Sequence, residues 1–476
     1  MYGAQLVTVI VQFLYAAVTS RTIDPAGFGY YAISLAVSGL LTLLAVGGLA
    51  QAVSRMDDLA PERLRSLVTY AVILGLVFGL FMWFTSPLWA VLWGEPGATS
   101  IIRWLALGTA IAPLAAISGS LLRRQGRFKT LAIVALGSNV VGMALGVAAV
   151  VHFKTPDALV VSPIVAQLGL LICSLALSGR SLFGFARISR DSMEVAFSAQ
   201  LVPAKLADYV IGNVAKFGTS RWVGVDAFGF WNRGDVVTSL PLQQIQTAII
   251  QTVTPEFRHD ISDSTRAKRV WTDMLILISW VALPLAALAA AVVPFLVPLL
   301  FGPGWETTGQ LVPWLAVGAG LQMLATVLAS AVEILGRMRW IWATAVILLV
   351  IQVGAAVALF VFRDLIVAMI FLVLTQAVRH AVNIWQCGRL DYLNVPTLMS
   401  GYFLAAASSC LLAASAWVFC SMIRAAFTLG TVGWALAAIA LLFANAATLF
   451  LLRKWLPPLK IAASYGIFRP RGSASV

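Results

Sequence analysis

Four residues near the middle of the chain are spaced so that their side chains share one face of a helix. Lys205, Asp208, Gly212 and Lys216 follow one another at intervals of three, four and four positions. At about 100° per residue, this spacing places them in one narrow stripe. Ammonium groups in such a stripe can bind an anion, and a carboxylate among them can pair with them or carry a proton. Because the surrounding segment is apolar, these charges must face water, a partner or a ligand.

Further ionisable residues lie in or beside neighbouring apolar segments. Arg233 and Asp235 stand at the beginning of the next segment, and Arg21 and Arg221 occupy equivalent positions 200 residues apart. Five basic residues against two acids leave a surplus of positive charge, which selects an anion, and the planar fork of arginine suits phosphate oxygens. We assign substrate binding to Arg21, Lys205, Lys216, Arg221 and Arg233, and ion coupling to Asp208 and Asp235.

A structural interpretation of the same residues stays open. Lys205 with Asp208, and Arg233 with Asp235, could be ion pairs that only neutralise one another, and the two outer arginines could simply extend to the membrane surface. Each residue alone fits either interpretation. The surplus of positive charge in the whole set favours binding.

The elements that position these residues are membrane helices. The chain is 61% hydrophobic and 11% charged, with a mean hydropathy of +0.93, which excludes a water-soluble protein. A crossing helix needs about 20 apolar residues. Runs of that length predict an all-α, polytopic membrane protein with about fourteen spans, near residues 2–20, 28–54, 66–93, 100–121, 130–151, 158–178, 198–220, 228–252, 273–300, 308–332, 341–362, 365–386, 399–421 and 428–452.

The second half of the chain repeats short motifs of the first half. The pairs are Ser20-Arg21 with Ser220-Arg221, Phe28-Gly29 with Phe228-Gly229, and Gly126-Arg127 with Gly336-Arg337. The repeat predicts an N-terminal six-helix lobe (1–182), a C-terminal six-helix lobe (183–392), and an extra helix pair with a basic tail (393–476). Duplicated helix bundles are common in transporters that work by alternating access.

Basic residues are concentrated on one predicted side of the membrane. Of the 32 Lys and Arg residues, 22 fall in the loops that follow even-numbered spans and in the tail, and at most six fall on the opposite side. The positive-inside rule therefore predicts cytoplasmic N- and C-termini. The formal net charge of +13 fits loops beside anionic lipid, so the bilayer is an expected partner and nucleic acid is not.

Several kinds of chemistry find no support in the sequence. Cys173, Cys387, Cys410 and Cys420 show no paired spacing, and no His or Cys cluster has metal-ligand spacing, so we expect neither disulfide, metal nor cofactor. The chain has no Gly-Lys dipeptide and thus no nucleotide-binding G-x-x-x-x-G-K-[ST] loop. Energy must then come from an ion gradient, the membrane potential or consumption of the product.

The stretch from Ser20 to Ala32, SRTIDPAGFGYYA, resembles the first helical hairpin of Wzx-type polysaccharide exporters. These proteins belong to the multidrug/oligosaccharidyl-lipid/polysaccharide flippase superfamily. The turns Leu92-Trp93-Gly94 and Leu300-Phe301-Gly302 are also similar to that group, and the arrangement of six, six and two spans extends the resemblance over nearly the whole chain.

The resemblance implies a two-lobed flippase of the bacterial inner membrane. Such a protein moves undecaprenyl-diphosphate-linked oligosaccharide from the cytoplasmic to the outer leaflet by alternating access, with a cationic lumen that takes the diphosphate. The resemblance matches Arg21 to the family's basic residue in this stretch, with Arg221 as its repeat mate. Polysaccharide polymerase machinery is a further expected partner.

Three alternatives follow from the same features. A lipid II flippase handles the same diphosphate and is poorly separated by sequence. A multidrug exporter of the superfamily carries mostly cationic substrates, which the positive surplus disfavours. A membrane polysaccharide polymerase or glycosyltransferase needs catalytic carboxylates or histidines on sizeable outer loops, whereas the outer loops here are a few residues long, so we assign no catalytic residue and predict a protein that is not an enzyme.

Overall fold

The computed structural model describes residues 2–55, 60–178, 193–259 and 264–426, together with Gly184, Ala186, Pro458 and Ile461. Within these ranges the chain is helical and contains no strand. The α-helices are α1 (Tyr2–Ser20), α2 (Pro25–Val46), α3 (Leu49–Arg55), α4 (Pro61–Trp93), α5 (Thr99–Arg124), α6 (Phe128–Phe153), α7 (Val161–Ser178), α8 (Met193–Gly218), α9 (Val225–His259), α10 (Ser264–Phe301), α11 (Glu306–Ile334), α12 (Met338–Phe362), α13 (Leu365–Arg389) and α14 (Val395–Ala426). Short 3₁₀ turns (Pro96–Ala98 and Pro156–Val160) precede α5 and α7, and one π turn (Thr219–Val223) follows α8.

The predicted spans correspond closely to these helices. Helices α2 and α3 share the second predicted span, and the fourteenth, at 428–452, lies outside the described residues. Ten helical segments of the described chain are long and apolar enough to cross a membrane, and α1, α8 and α9 are not among them. Helices α8 and α9 carry most of the charged residues that the sequence analysis assigned to the site, and Arg21 directly follows α1. The all-α membrane fold is confirmed, whereas the count of fourteen spans stays a prediction.

The beginning and the end of α2 follow from two local signals. Asp24 caps its first turn by accepting a hydrogen bond from the Gly27 backbone N–H at 2.9 Å, and Pro25 supplies a φ angle suited to the first helical position. The helix ends at Gly47, whose φ of +52° lies in the left-handed region that favours glycine. This turn divides the second predicted span into two helices.

The repeated motifs also share backbone conformation. Gly94, after α4, and Gly302, after α10, have φ angles of +86° and +89°. Gly126, after α5, and Gly336, after α11, have φ angles of +72° and +67°. Equivalent helices of the two predicted halves thus end in the same kind of left-handed turn.

The chain separates into two compact units. Unit 1 comprises Met1–Val236, Leu300–Trp305 and Leu349–Ala368, and unit 2 comprises the remaining residues. Each unit has one central helix: 72% of the apolar stretch is buried in α5 and 67% in α11, against 22% to 50% in the other eight candidate spans. The unit boundaries cut through α9, α10, α12 and α13, so the lobe boundaries read from the repeat stay a prediction.

Candidate functional site

The charged stripe predicted on α8 lies on an accessible face of that helix. Lys205 is half-buried and Asp208 is exposed. A Cβ placed on Gly212, between the charged residues, would meet no atom within 4 Å. Seven positions after Asp208, and so on the same side of the helix, Ala215 is buried and its N–H donates to Oε1 of Gln352 at 3.2 Å. The stripe is therefore exposed from Asp208 to Gly212 and becomes buried toward Ala215.

Lys216 pairs with an acid from the next helix. Its Nζ lies 3.5 Å from a carboxylate oxygen of Asp235 on α9, and the two side chains are 31% and 24% exposed. The same Nζ lies 5.8 Å from the ring centroid of Trp231. The acid that could have neutralised Arg233 thus contacts Lys216 instead, and this partly exposed pair links α8 to α9.

Arg233 is the most deeply buried cation of the predicted set, with 4% exposure. Its guanidinium carbon lies 3.9 Å from the ring centroid of Phe28, and its Nε and Nη2 donate to Oδ1 of Asn232 at 3.3 and 3.0 Å. Nη1 is buried and has no acceptor, and no carboxylate forms an ion pair with Arg233, within the described residues. A buried charge without a counterion destabilises the protein. Such a charge within a membrane helix is therefore a candidate for binding a ligand or for pairing in a second state of the protein.

Arg21 and Arg221 contact helix ends of the opposite predicted half. Nε of Arg21 donates to the Leu300 carbonyl at 3.2 Å in the last turn of α10, and Nη1 of Arg221 donates to the Val91 carbonyl at 3.4 Å in the last turn of α4. Both guanidiniums therefore lie at the negative end of a helix dipole.

Between these arginines, α2 and α9 cross at two equivalent glycines. A Cβ on Gly29 would overlap the carbonyl oxygen of Val225, the first residue of α9, and a Cβ on Gly229 would overlap the carbonyl oxygen of Pro25, the first residue of α2. Only glycine permits this approach of two backbones. We call Arg21, Gly29, Arg221 and Gly229, with the helix ends that they touch, the crossed closure.

One tryptophan packs on each side of the crossed closure. Nε1 of Trp305 donates to the Ser20 carbonyl at 2.9 Å, and its ring meets Phe28 edge-on at 5.6 Å. On the other side the ring of Trp93 stacks on Phe228 at 5.9 Å. The helix ends predicted to face outside are thus packed together within unit 1.

The carboxyl group of Glu95, at this end of unit 1, has a shifted pKa. Partial burial and the negative charge of Asp226 raise the pKa of Glu95 above its ordinary value, while the positive charge of Arg221 acts in the opposite direction. This arrangement therefore favours protonated Glu95.

Sequence reasoning missed two features of the site. The Gly29 and Gly229 pair was visible as a repeated Phe-Gly motif, but the motif carried no information on which backbones approach each other. In unit 2, His380 is buried, with 6% exposure, and its Nε2 lies 3.2 Å from the Tyr402 hydroxyl.

The fold and the site together define a class of protein: a polytopic α-helical transporter with duplicated helices and ionisable groups inside them. The family description "Polysaccharide biosynthesis protein" matches residues 18–310, more than half of the chain. The chain therefore belongs to the polysaccharide biosynthesis protein family.

Comparison with individual proteins supports this family assignment. The succinoglycan biosynthesis transport protein ExoT of Rhizobium meliloti (strain 1021) is 25% identical over 391 residues, which cover 80% of this chain and 77% of ExoT. The teichuronic acid biosynthesis protein TuaB of Bacillus subtilis (strain 168) is 22% identical over 306 residues, 63% of each chain. The inward closed structure of the lipid II flippase MurJ aligns with a TM-score of 0.68 and 10% identity, over 95% of this chain and 98% of MurJ, and shows the same fold.

The predicted relationship to bacterial polysaccharide exporters is confirmed by the family and by ExoT, and the MurJ-like fold agrees with the fold expected of the predicted superfamily. The chain is a multi-pass membrane transporter of polysaccharide biosynthesis and not an enzyme, because its family and its relatives are transporters.

Proposed function

We propose that this transporter moves a polyprenyl-diphosphate-linked oligosaccharide from the cytoplasmic to the outer leaflet of the bacterial inner membrane. Alternating access carries the head group across, and the basic residues Arg21, Lys205, Lys216, Arg221 and Arg233 bind the diphosphate. Both termini face the cytoplasm, and a polysaccharide polymerase consumes the product.

The observation that supports the proposal most is the state of Arg233. A diphosphate brings about two negative charges and several acceptor oxygens, which cannot enter hydrocarbon without fixed donors. Arg233 offers a buried Nη1 with no acceptor among the described residues. Phe28 covers the guanidinium, so a movement of α2 away from α9 exposes Nη1, whereas Lys205 and Lys216 are reachable without it.

Binding of a soluble analogue by the purified chain tests the proposal. Farnesyl diphosphate is titrated against farnesol, which has the same tail without charge, and binding is followed by native mass spectrometry. We expect selective binding of the diphosphate, and a loss of about tenfold or more in Arg233→Gln, since one hydrogen bond to a charged group contributes about 1.5–3 kcal/mol.

Two further variants make the test specific. Arg103→Gln removes a basic side chain of another membrane helix, whose Nε donates to Ser86 at 2.9 Å, and should leave binding unchanged. Arg233→Lys keeps the buried positive charge and serves as the second variant in case Arg233→Gln does not fold. Equal binding of farnesol and farnesyl diphosphate, or an equal loss in Arg103→Gln, contradicts the proposal.

The alternatives predict other results. A multidrug exporter binds cationic compounds in preference to the diphosphate. A lipid II flippase binds the diphosphate equally well but prefers lipid II when the natural lipid-linked sugars are compared. A reporter fused after Val476 tests the proposed cytoplasmic C-terminus.

A further inference from the structure

Two arginines and two tryptophans form a continuous stack in unit 2. The guanidinium carbon of Arg337 lies 5.7 Å from the ring centroid of Trp340, and that of Arg389 lies 5.4 Å from the ring centroid of Trp385. The two indole rings stack on each other with centroids 5.9 Å apart and planes inclined by 27°. The order is cation, ring, ring, cation. We call these four residues the Arg-Trp ladder.

The ladder lies where one candidate membrane helix begins and another ends. Helix α12 begins at Met338, directly after the Gly336 turn, and α13 ends at Arg389. Gln386, which is 2% exposed, donates to the Trp340 carbonyl at 3.2 Å and to the Thr344 hydroxyl at 3.0 Å. These two bonds hold the helices side by side and fix the register in which the indoles stack.

The guanidinium groups of both arginines have unused hydrogen-bond donors. Each is exposed, and within the described part of the chain neither donates a hydrogen bond or joins an ion pair. A ring face attracts the guanidinium, but it accepts no hydrogen bond from the N–H groups, which lie in the plane of the guanidinium. The stack therefore fixes two cations whose donor edges are available to an anion.

Apolar side chains continue from the ladder along both helices. On α13, Ala381 and Leu374 precede Trp385 by four and eleven positions and so share its face, and Leu374 is 42% exposed. On α12, Ile347 follows Trp340 by seven positions and is 40% exposed. A ligand that fits this surface has an anionic head and a hydrocarbon tail.

We propose that the Arg-Trp ladder binds the head group of an anionic membrane phospholipid, with its acyl chains along Leu374 and Ile347. Tryptophan is enriched at the level of lipid head groups, and basic clusters at helix ends attract anionic lipids. A free phosphate ion uses only the arginines and gains nothing from the apolar stripe. The proposal is independent of the transported cargo.

Binding of phosphatidylglycerol to the purified full-length chain tests the proposal. Native mass spectrometry compares phosphatidylglycerol with phosphatidylcholine on the wild type and on Arg337→Gln, Arg389→Gln and Arg339→Gln. Arg339 is the matched control, because it is an exposed arginine of the same helical turn with no ring partner in the described chain. We expect about tenfold weaker phosphatidylglycerol binding in each ladder variant, since each loses a charge-assisted hydrogen bond from a ring-held guanidinium to the phosphate. Arg339→Gln should bind as the wild type does.

A second measurement needs no variant. A photoreactive phosphatidylglycerol, cross-linked to the wild type, should label peptides that contain the start of α12 or the end of α13, and millimolar inorganic phosphate should not prevent it. Equal losses in all three variants, equal binding of the two lipids, labelling elsewhere, or displacement by phosphate would each overturn the proposal. So would preferential binding of a polyprenyl diphosphate at the ladder.

Discussion

The crossed closure makes a sharp prediction for one added methyl group. In Gly229→Ala the new Cβ would lie 2.8 Å from the carbonyl carbon of Pro25 and 3.1 Å from the backbone nitrogen of Gly29, besides overlapping the Pro25 carbonyl oxygen. In Gly29→Ala it would lie 2.8 Å from the carbonyl carbon of Val225. All of these neighbours are backbone atoms, which cannot turn aside as a flexible side chain can.

The size of the effect follows from these distances. Carbon atoms at rest lie about 3.5–4.0 Å apart, so the helices must separate by about 0.7 Å or more. Overpacking of this kind costs typically about 1–3 kcal/mol. If the closure opens and closes during transport, the cost falls on the closed state, and either variant shifts the equilibrium toward the open state by about 5- to 150-fold.

Cysteine accessibility measures this equilibrium in the purified protein, where membrane sidedness does not matter. Ser220, next to Arg221, is 2% exposed and is replaced by cysteine after removal of the four native cysteines. A maleimide should label this position slowly in the parent and about 5- to 150-fold faster when Gly229→Ala or Gly29→Ala is added. Gly137→Ala is the control, because a Cβ there would meet nothing within 4 Å.

The reasoning is refuted if labelling in both closure variants is no faster than in Gly137→Ala while all variants stay folded by thermal denaturation. Faster labelling in all three would show that added alanines loosen helices generally, and would refute it as well.

Three further predictions concern the same protein, and the first two use the same labelling assay. Arg221→Ala should speed labelling by only a fewfold, because an exposed cation at a helix C-terminus contributes about 0.3–1 kcal/mol. The pKa of Glu95 is raised in this arrangement, so closure should be strongest below the ordinary glutamate pKa and weaken as pH rises through the raised value; Glu95→Gln should abolish this pH dependence and slow labelling at pH 7. Removing the negative charge of Asp235, which pairs with Lys216, should tighten farnesyl diphosphate binding, and a double-mutant cycle with Lys216→Gln should give a coupling of about 0.2–1 kcal/mol in thermal unfolding.

The helices were predictable because apolar length and turn residues determine them locally. Their ends were less so, since hydropathy detects only the part inside the bilayer. Helix α4 begins at Pro61, five residues before the predicted start, because Pro61 and Glu62 suit the first turn of a helix that extends beyond the hydrocarbon. The break at Gly47 was missed because its neighbours remain apolar.

The partners of the charged residues were not predictable from spacing. Arg233 and Asp235 are two positions apart, so they point to different sides of α9, and Asp235 reaches Lys216 on α8 while Arg233 turns to Phe28. These contacts depend on how α2, α8 and α9 rotate against one another. One sequence without a structure contains no direct measure of that rotation.

The same reasoning explains why the glycine pair was found only in the structure. The repeat located Phe28-Gly29 and Phe228-Gly229 correctly, but it could not show that each glycine meets the first residue of the other's helix. Close backbone approach is a three-dimensional property, and glycine has many other uses.

In the crossed closure, two equivalent parts of one chain contact each other as two identical subunits do in a homodimer. Gly29 touches the residue that begins α9, and Gly229 touches Pro25, its counterpart at the beginning of α2, so the contact is isologous. A single ancestral six-helix protein could have made this junction with a second copy of itself, with one glycine serving both sides. In the present chain the two halves differ beside this junction, because only the second half carries an arginine, Arg233, at the position equivalent to Ile33.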